Sequence, residues 1–201
     1  MFTHLMVISG AFWILTYILI ISRGFRDKTY GMPLVALCFN ISWEFIYTFI
    51  RRHPIPHIYS NIIALLLDII IFYQLLLYWP NEFSNMSKFR FYLLVFSSLI
   101  IAFSLVFFIS YTFNDNIGFY MAFGQNLLMS ILFIKMLLNR SGLRGQTIYI
   151  AIFKLFGTAS ASSAFYLFDP IDRGSILLNS LYLGIFLLDL LYVMMIFQKT
   201  R

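Results

Sequence analysis

The sequence predicts an all-α fold, a polytopic membrane protein built as a seven-transmembrane-helix bundle, and three features carry that prediction. Of its 201 residues, 61% are hydrophobic and 11% charged, with a mean hydropathy of +0.87, a composition outside the range of soluble domains. Seven apolar runs meet the span requirement of ~20 residues, at 1–22, 31–50, 58–79, 91–111, 117–138, 148–168 and 175–197. The connections between them are short and hold most of the charge and four of the five prolines. Nothing remains for a soluble domain, so 1–201 reads as a single seven-helix membrane domain.

A net charge of +6 would suggest a nucleic-acid partner in a soluble chain. Here the basic residues sit in the connections, which points to membrane orientation and to no nucleic acid. Arg23, Arg26, Lys28, Lys88, Arg90, Arg140, Arg144, Lys199 and Arg201 fall on one side, against Arg51, Arg52 and Arg173 on the other. The N-terminus is therefore expected outside and the C-terminus in the cytoplasm. The N-terminal run lacks a positive n-region and a small-residue cleavage site, so no cleavable signal peptide is expected. Cys38 is the single cysteine and leaves the redox compartment open. Asn85 and Asn139 each begin an Asn-x-Ser sequence, but in connections expected to be cytoplasmic, which argues against glycosylation.

Taken in order, the first run is uncharged. The second starts near Pro33, where proline is tolerated, and carries Asn40, Trp43, Glu44 and Tyr47. On a helix Asn40, Glu44 and Tyr47 fall at i, i+4 and i+7, one polar stripe. The third follows His53-Pro54-Ile55-Pro56-His57, whose prolines prevent the helix that would align its histidines for a metal. It contains Asn61 and, seven residues later, Asp68. The fourth is apolar, and the fifth offers Gln125 and Asn126. Lys135 and Lys154, in the fifth and sixth runs, are expected to snorkel to headgroups; Lys154, the deeper, can instead pair with a buried carboxylate. Residues 157–164 of the sixth run form a small-residue surface for close helix packing. The seventh carries Asn179, Tyr182, Phe186, Asp189 and Tyr192.

Glu44, Asp68 and Asp189 are the three acids inside spans. An ionisable group at the bilayer centre costs at least ~2.5–3.5 kcal/mol, which makes each a functional candidate. With the orientation above, their depths differ by about 8 Å at a rise of ~1.5 Å per residue, so all three can line one cavity. Low dielectric favours the neutral carboxyl, so at least one is expected to hold a proton. Another, kept ionised by hydrogen bonds or by Lys154, can act as base or charge stabiliser. Adjacent aspartates of the kind that bind diphosphate through magnesium are absent from every run, and Asp169-Pro170-Ile171-Asp172 lies in a connection. Metal-dependent diphosphate ionisation is therefore disfavoured, and a retinal Schiff base likewise, since the seventh run has no lysine.

At Trp43-Glu44, flanked by Asn40 and Tyr47, the sequence resembles the integral-membrane terpene cyclases of meroterpenoid and indole-diterpene pathways. The resemblance extends to Leu66-Leu67-Asp68, to Leu187-Leu188-Asp189-Leu190-Leu191-Tyr192 and to the seven-span layout. It implies that Glu44 and Asp189 are the essential acids. It further implies protonation of a terminal epoxide or alkene of a prenyl chain, which folds into fused rings without metal, cofactor or diphosphate loss. Asp68 would tune or orient the other two. The implied partners are membrane lipids and a lipophilic prenylated small molecule, with functional coupling to a prenyltransferase and an epoxidase. The expected setting is the plasma (inner) membrane of a bacterium or the endoplasmic reticulum of a fungus. Independently of the family, cations in a dry pocket gain roughly 0.5–2 kcal/mol from each aromatic face. Trp43, Tyr47, Tyr182, Phe186 and Tyr192 have the spacing to supply them, with Asn40, Asn61 and Gln125 as further substrate-binding candidates. Three other readings stand beside this one: a small proton-coupled transporter, another intramembrane acid/base enzyme such as an isomerase, and a non-catalytic lipid-binding or assembly protein.

Overall fold

The computed structural model describes residues 1–53, 57–83, 85–168 and 174–200. The prolines of the His53–His57 turn, the acids Asp169 and Asp172, and the cations Arg173 and Arg201 lie outside the described residues.

Among the described residues six helices are long and apolar enough to cross a membrane: α1 (Phe2–Asp27), α3 (His57–Glu82), α4 (Lys88–Thr112), α5 (Phe119–Asn139), α6 (Ile148–Phe168) and α7 (Ile176–Thr200). The seventh, α2 (Leu34–Phe45), is shorter and runs on into a π-helical turn over Ile46–Ile50. Its N-cap is Pro33, whose fixed φ suits the first turn and whose missing N–H removes one unsatisfied donor. The helices exceed the apolar runs at several ends. α1 continues past residue 22 because Arg23 and Asp27 pair one turn apart at 2.6 Å. α3 carries Pro80 within its last turn and runs on to Glu82.

Packing arranges six helices in a closed ring, α1–α3–α2–α5–α7–α6 and back to α1, with α4 outside it against α2 and α5. Large apolar side chains such as Phe49, Leu66, Phe96, Phe108 and Leu183 are exposed on the outer faces, where a bilayer would solvate them. The α1–α6 seam closes tightly because α6 presents small residues. A Cβ at Gly157 would stand 3.0 Å from the Trp13 ring.

Polar networks finish the two ends of the ring. At one end, Glu82 accepts from Thr29 (2.5 Å) and faces Arg140 (3.3 Å) and Arg144 (3.5 Å). Asp27 accepts from the Gly145 N–H, and Lys199 donates to the Leu137 carbonyl. These contacts tie α1, α3, α5, α7 and the α5–α6 connection together.

At the other end, the connection between α4 and α5 folds over the π-turn. The Tyr47 hydroxyl lies 2.8 Å from the Asp115 carbonyl and 2.7 Å from Ser110 Oγ, and Trp43 Nε1 donates to the Gly118 carbonyl. The Asp115 carboxylate accepts from the N–H groups of Gly118, Phe119 and Tyr120, which caps α5. Gly118 has φ +76°, and a Cβ there would lie 2.5 Å from the Tyr47 ring. Left-handed backbone costs a non-glycine residue about 1–3 kcal/mol, so Gly118→Ala is expected to lose at least that much stability. The measurement is the melting temperature of the purified chain in detergent; an unchanged value would show that this connection yields freely.

Candidate functional site: a cavity inside the helix ring

A cavity of about 520 Å3 opens inside the ring, lined by α1, α2, α3, α5 and α6. Its wall is largely aromatic, with Trp13, Tyr17, Trp43, Phe119, Phe123 and Phe165 contributing faces. Glu44 is the acid on that wall. It is 4% exposed, and its Oε2 is buried without a hydrogen-bond partner among the described residues.

Helix spacing explains the surroundings of Glu44. Asn40, one turn earlier, donates from Nδ2 to the Tyr17 hydroxyl at 2.6 Å and accepts at Oδ1 from Gln125 Nε2 at 3.3 Å. Asp68 on α3 is fully buried and close enough to Glu44 and Tyr17 to act on both electrostatically. The Asn40 amide also faces Asp68, although neither Asp68 oxygen has a partner at full hydrogen-bond geometry. No cation pairs with either carboxyl among the described residues. Two unpaired carboxyls in such surroundings are expensive to ionise.

The third acid is handled in the opposite way. Asp189 on α7 binds the Lys154 ammonium with both oxygens, at 2.7 and 2.9 Å, and both side chains are buried. Lys154 also donates to Ser130 Oγ at 2.7 Å and to Asn126 Oδ1 at 3.1 Å, and lies 5.8 Å from the centre of the Trp13 ring. Lys154 thus takes the carboxylate-pairing alternative and not the snorkelling one; Lys135 is exposed.

The structure divides the sequence candidates into three groups. Asn40, Trp43, Glu44, Asn61 and Gln125 line the cavity, with Asp68 buried behind them. Asp189, Tyr182 and Phe186 line a separate groove of about 360 Å3 between α6 and α7, which among the described residues shares only Thr158 with the cavity. Equal depth therefore does not bring the three acids into one chamber. Depth fixes the level along the helix axis but not the azimuth, and the azimuth of α7 turns Asp189 toward Lys154 on α6. Tyr47 and Tyr192 are fully buried and brace connections, Tyr192 at 2.9 Å from Gln146 Oε1.

Sequence reasoning missed Trp13, Tyr17, Thr158 and His53. Trp13 and Tyr17, four apart on α1, carried a signal as an aromatic pair at helical spacing. His53 reaches the cavity because the π-turn lets the chain fold back over Trp43, with ring centres 5.6 Å apart. Its Nδ1 lies 3.1 Å from Asn61 Nδ2 and its Nε2 2.9 Å from the Ile117 carbonyl. The neutral ring with hydrogen on Nε2 satisfies both contacts. Among the described residues no three His, Cys, Asp or Glu side chains converge as a metal-ligand set.

Two outcomes are expected from these environments. Lys154→Met leaves the Asp189 charge buried and unpaired, which should cost about 3–5 kcal/mol. Thermal unfolding of the variant checks it, and a loss below 1 kcal/mol would mean that Asp189 finds another partner. Burial, the largest influence on His53, pushes its imidazole below the ordinary value of 6.5. The unfolded chain then binds the proton more readily, so stability should fall as pH drops below about 6.5. The decline in melting temperature should be shallower in His53→Gln, and identical slopes would remove His53 as its source.

Comparison with known proteins agrees with this architecture. Residues 1–169 match the family described as Pyr4-like transmembrane terpene cyclases. The chain is 29% identical over 168 residues to terpene cyclase macJ of Penicillium terrestre, covering 79% of this chain and 64% of that protein. It is 31% identical over 152 residues to asnovolin H synthase nvfL of Aspergillus novofumigatus, covering 73% and 62%. Over a shorter stretch of 84 residues it is 43% identical to terpene cyclase andB of Emericella variicolor, 38% of this chain and 33% of that one. The chain thus spans less than two thirds of the length of each of these three relatives. No solved structure matches significantly. The match and the six long apolar helices make this an integral, multi-pass membrane protein, and the chain belongs to the Pyr4-like transmembrane terpene cyclases.

Proposed function

We propose that this chain catalyses a protonation-initiated cyclisation of a prenyl chain inside the cavity, with Glu44 as the proton donor. One observation carries the reading. Glu44 is the acid on the cavity wall, it lacks a hydrogen-bond partner at Oε2, and its nearest acidic neighbour is the equally unpaired Asp68. Buried without cations, the two carboxyls are most stable with a proton retained between them. A proton kept in a dry aromatic pocket is available to an alkene carbon or an epoxide oxygen.

The steps balance without a co-reactant. The Glu44 proton forms a C–H bond at a terminal alkene, or an O–H bond as an epoxide C–O bond breaks. The cation that results is attacked by the next double bond of the chain, and each attack closes a ring with a new C–C bond. Loss of a proton from carbon to the carboxyl pair, directly or relayed by a water that passes it on, restores Glu44. The net change is an isomerisation. Trp13, Trp43 and Phe123 offer ring faces that stabilise the passing cation by roughly 0.5–2 kcal/mol each without supplying a nucleophile. Asp68 shares the proton with Glu44 and steadies the negative charge left after transfer.

The substrate that suits such a wall is a lipophilic prenylated small molecule, drawn from the bilayer and supplied by a prenyltransferase and, for an epoxide, an epoxidase. The seven helices work as one membrane unit. We place the end closed by Glu82, Arg140 and Arg144 on the cytoplasmic side, because the cations there outnumber those at the opposite end.

The test uses the purified chain in detergent with prenylated aromatics, with and without a terminal epoxide, and mass spectrometry of the products. Isomers of unchanged mass are expected from the wild type, and Glu44→Gln should lower their formation by about 10²–10⁴-fold while the protein stays folded. Cyclisation that survives Glu44→Gln would end the role assigned to Glu44. A folded wild type that instead moves protons into liposomes with the substrate would point to transport.

A further inference from the structure

We propose that Lys154 is a positioning residue for the cavity and that Asp189 influences the reaction through it, without touching the substrate. The inference rests on the cyclase reading above and assigns a role to a part of the ring that contributes no cavity wall. Asp189 is 1% exposed, and what opening it has faces the groove between α6 and α7. No residue of α7 lines the cavity.

The connection runs through hydrogen bonds of defined direction. Asp189 holds Lys154 with two oxygens, and Lys154 donates onward to Asn126 Oδ1. An ammonium has only hydrogens to offer, so it can face the carbonyl end of the Asn126 amide and not the NH2 end. The NH2 end is thereby aimed at Thr158 Oγ1, which accepts at 2.8 Å. Ser130 reinforces the arrangement: its hydroxyl donates to the Asn126 backbone carbonyl at 2.9 Å, which leaves its lone pairs for Lys154. Asn126, Thr158 and Trp13 all line the cavity. The ammonium thus fixes two dipoles and one aromatic face of the wall opposite a prenyl chain. Its charge is neutralised by Asp189, so it does not repel a cation in the cavity as a bare ammonium would.

This arrangement makes a specific claim about how substitutions combine. If Asp189 acts through Lys154, then Asp189→Asn, Lys154→Met and the double variant all remove the same element, and the double should be no slower than the slower single. If Asp189 is itself an acid or base at the substrate, its loss should exceed that of Lys154→Met and the two should multiply.

The experiment measures kcat, KM and the pH–rate profile of the full chain in nanodiscs, using the substrate turned over by the wild type. A saturated farnesyl phenyl ether, which cannot cyclise, is titrated in parallel with tryptophan fluorescence as the readout, since Trp13 and Trp43 line the cavity. Asp189→Asn and Lys154→Met are each expected to lose about 100-fold in kcat, the scale of a displaced positioning contact. Because these variants can fail to fold, Asn126→Ala and Lys154→Arg complete the series. Asn126→Ala keeps the ion pair and is expected to lose roughly tenfold in kcat/KM and in ether affinity, with the shape of the pH profile retained. Lys154→Arg keeps the charge but places a bulkier, planar guanidinium in a fully buried site, so it should retain more activity than Lys154→Met without reaching wild type.

Wild-type kinetics and ether affinity in Asn126→Ala would overturn the proposal. So would a folded double variant slower than both singles by the product of their losses. A wild type that binds the ether but cyclises nothing would overturn the cyclase reading alone, since the binding series still decides whether Lys154 and Asn126 shape the cavity.

Discussion

Inside a bilayer a polar side chain has no water to return to, so each one in the helix ring must find a partner within the protein or stay uncharged. This constraint organises the chain. Lys154, the most buried cation, collects both oxygens of Asp189 together with Ser130 and Asn126. Those bonds draw α5, α6 and α7 together at one level. Asn40 does the same for α1, α2 and α5 through Tyr17 and Gln125. Hydrophobic burial cannot select these neighbours, because lipid tails are as apolar as the helix surfaces. Polar pairing and close packing at positions such as Gly157 do so instead.

Against that background Glu44 and Asp68 are the exception. The ring satisfies an ammonium, a carboxylate and several amides, yet leaves these two interacting carboxyls without a cation among the described residues. Replacing either by an apolar residue would cost the ring no ion pair among the described residues. Glu44 stands on the aromatic wall of the cavity, and both carboxyls lie within the stretch that matches the family.

Much of this was legible in the sequence, and the reason is physical. Hydropathy measures which residues tolerate lipid, so α6 falls on the expected 148–168 and the other helices differ from their runs mainly at the ends. Those ends overran because helices continue into the interface wherever polar residues can pair, as Arg23 and Asp27 do. The stripe Asn40, Glu44 and Tyr47 was visible from spacing, but its outcome was not. The π-turn at Ile46–Ile50 breaks the 3.6-residue period beneath Tyr47. Tyr47 then braces the Asp115 connection, while Trp43 and Glu44 line the cavity. No local pattern marks such a turn. The azimuth of Asp189 was equally hidden, since the lysine it faces lies 35 residues away in the chain.

The two treatments of acid in this ring suit two different tasks. A carboxylate gripped by an ammonium is held in place and carries no proton to deliver; a carboxyl beside another carboxyl keeps a proton and can release it to a weak base when water is excluded. In the proposed cyclisation the second would start a cation and the first would hold the walls that guide it. Every residue lining the cavity falls within 1–169, the stretch that matches the family. α7 lies beyond that stretch, adds nothing to the wall and reaches it through Lys154. α7 thus contributes a countercharge to the Lys154 ammonium and no wall of its own.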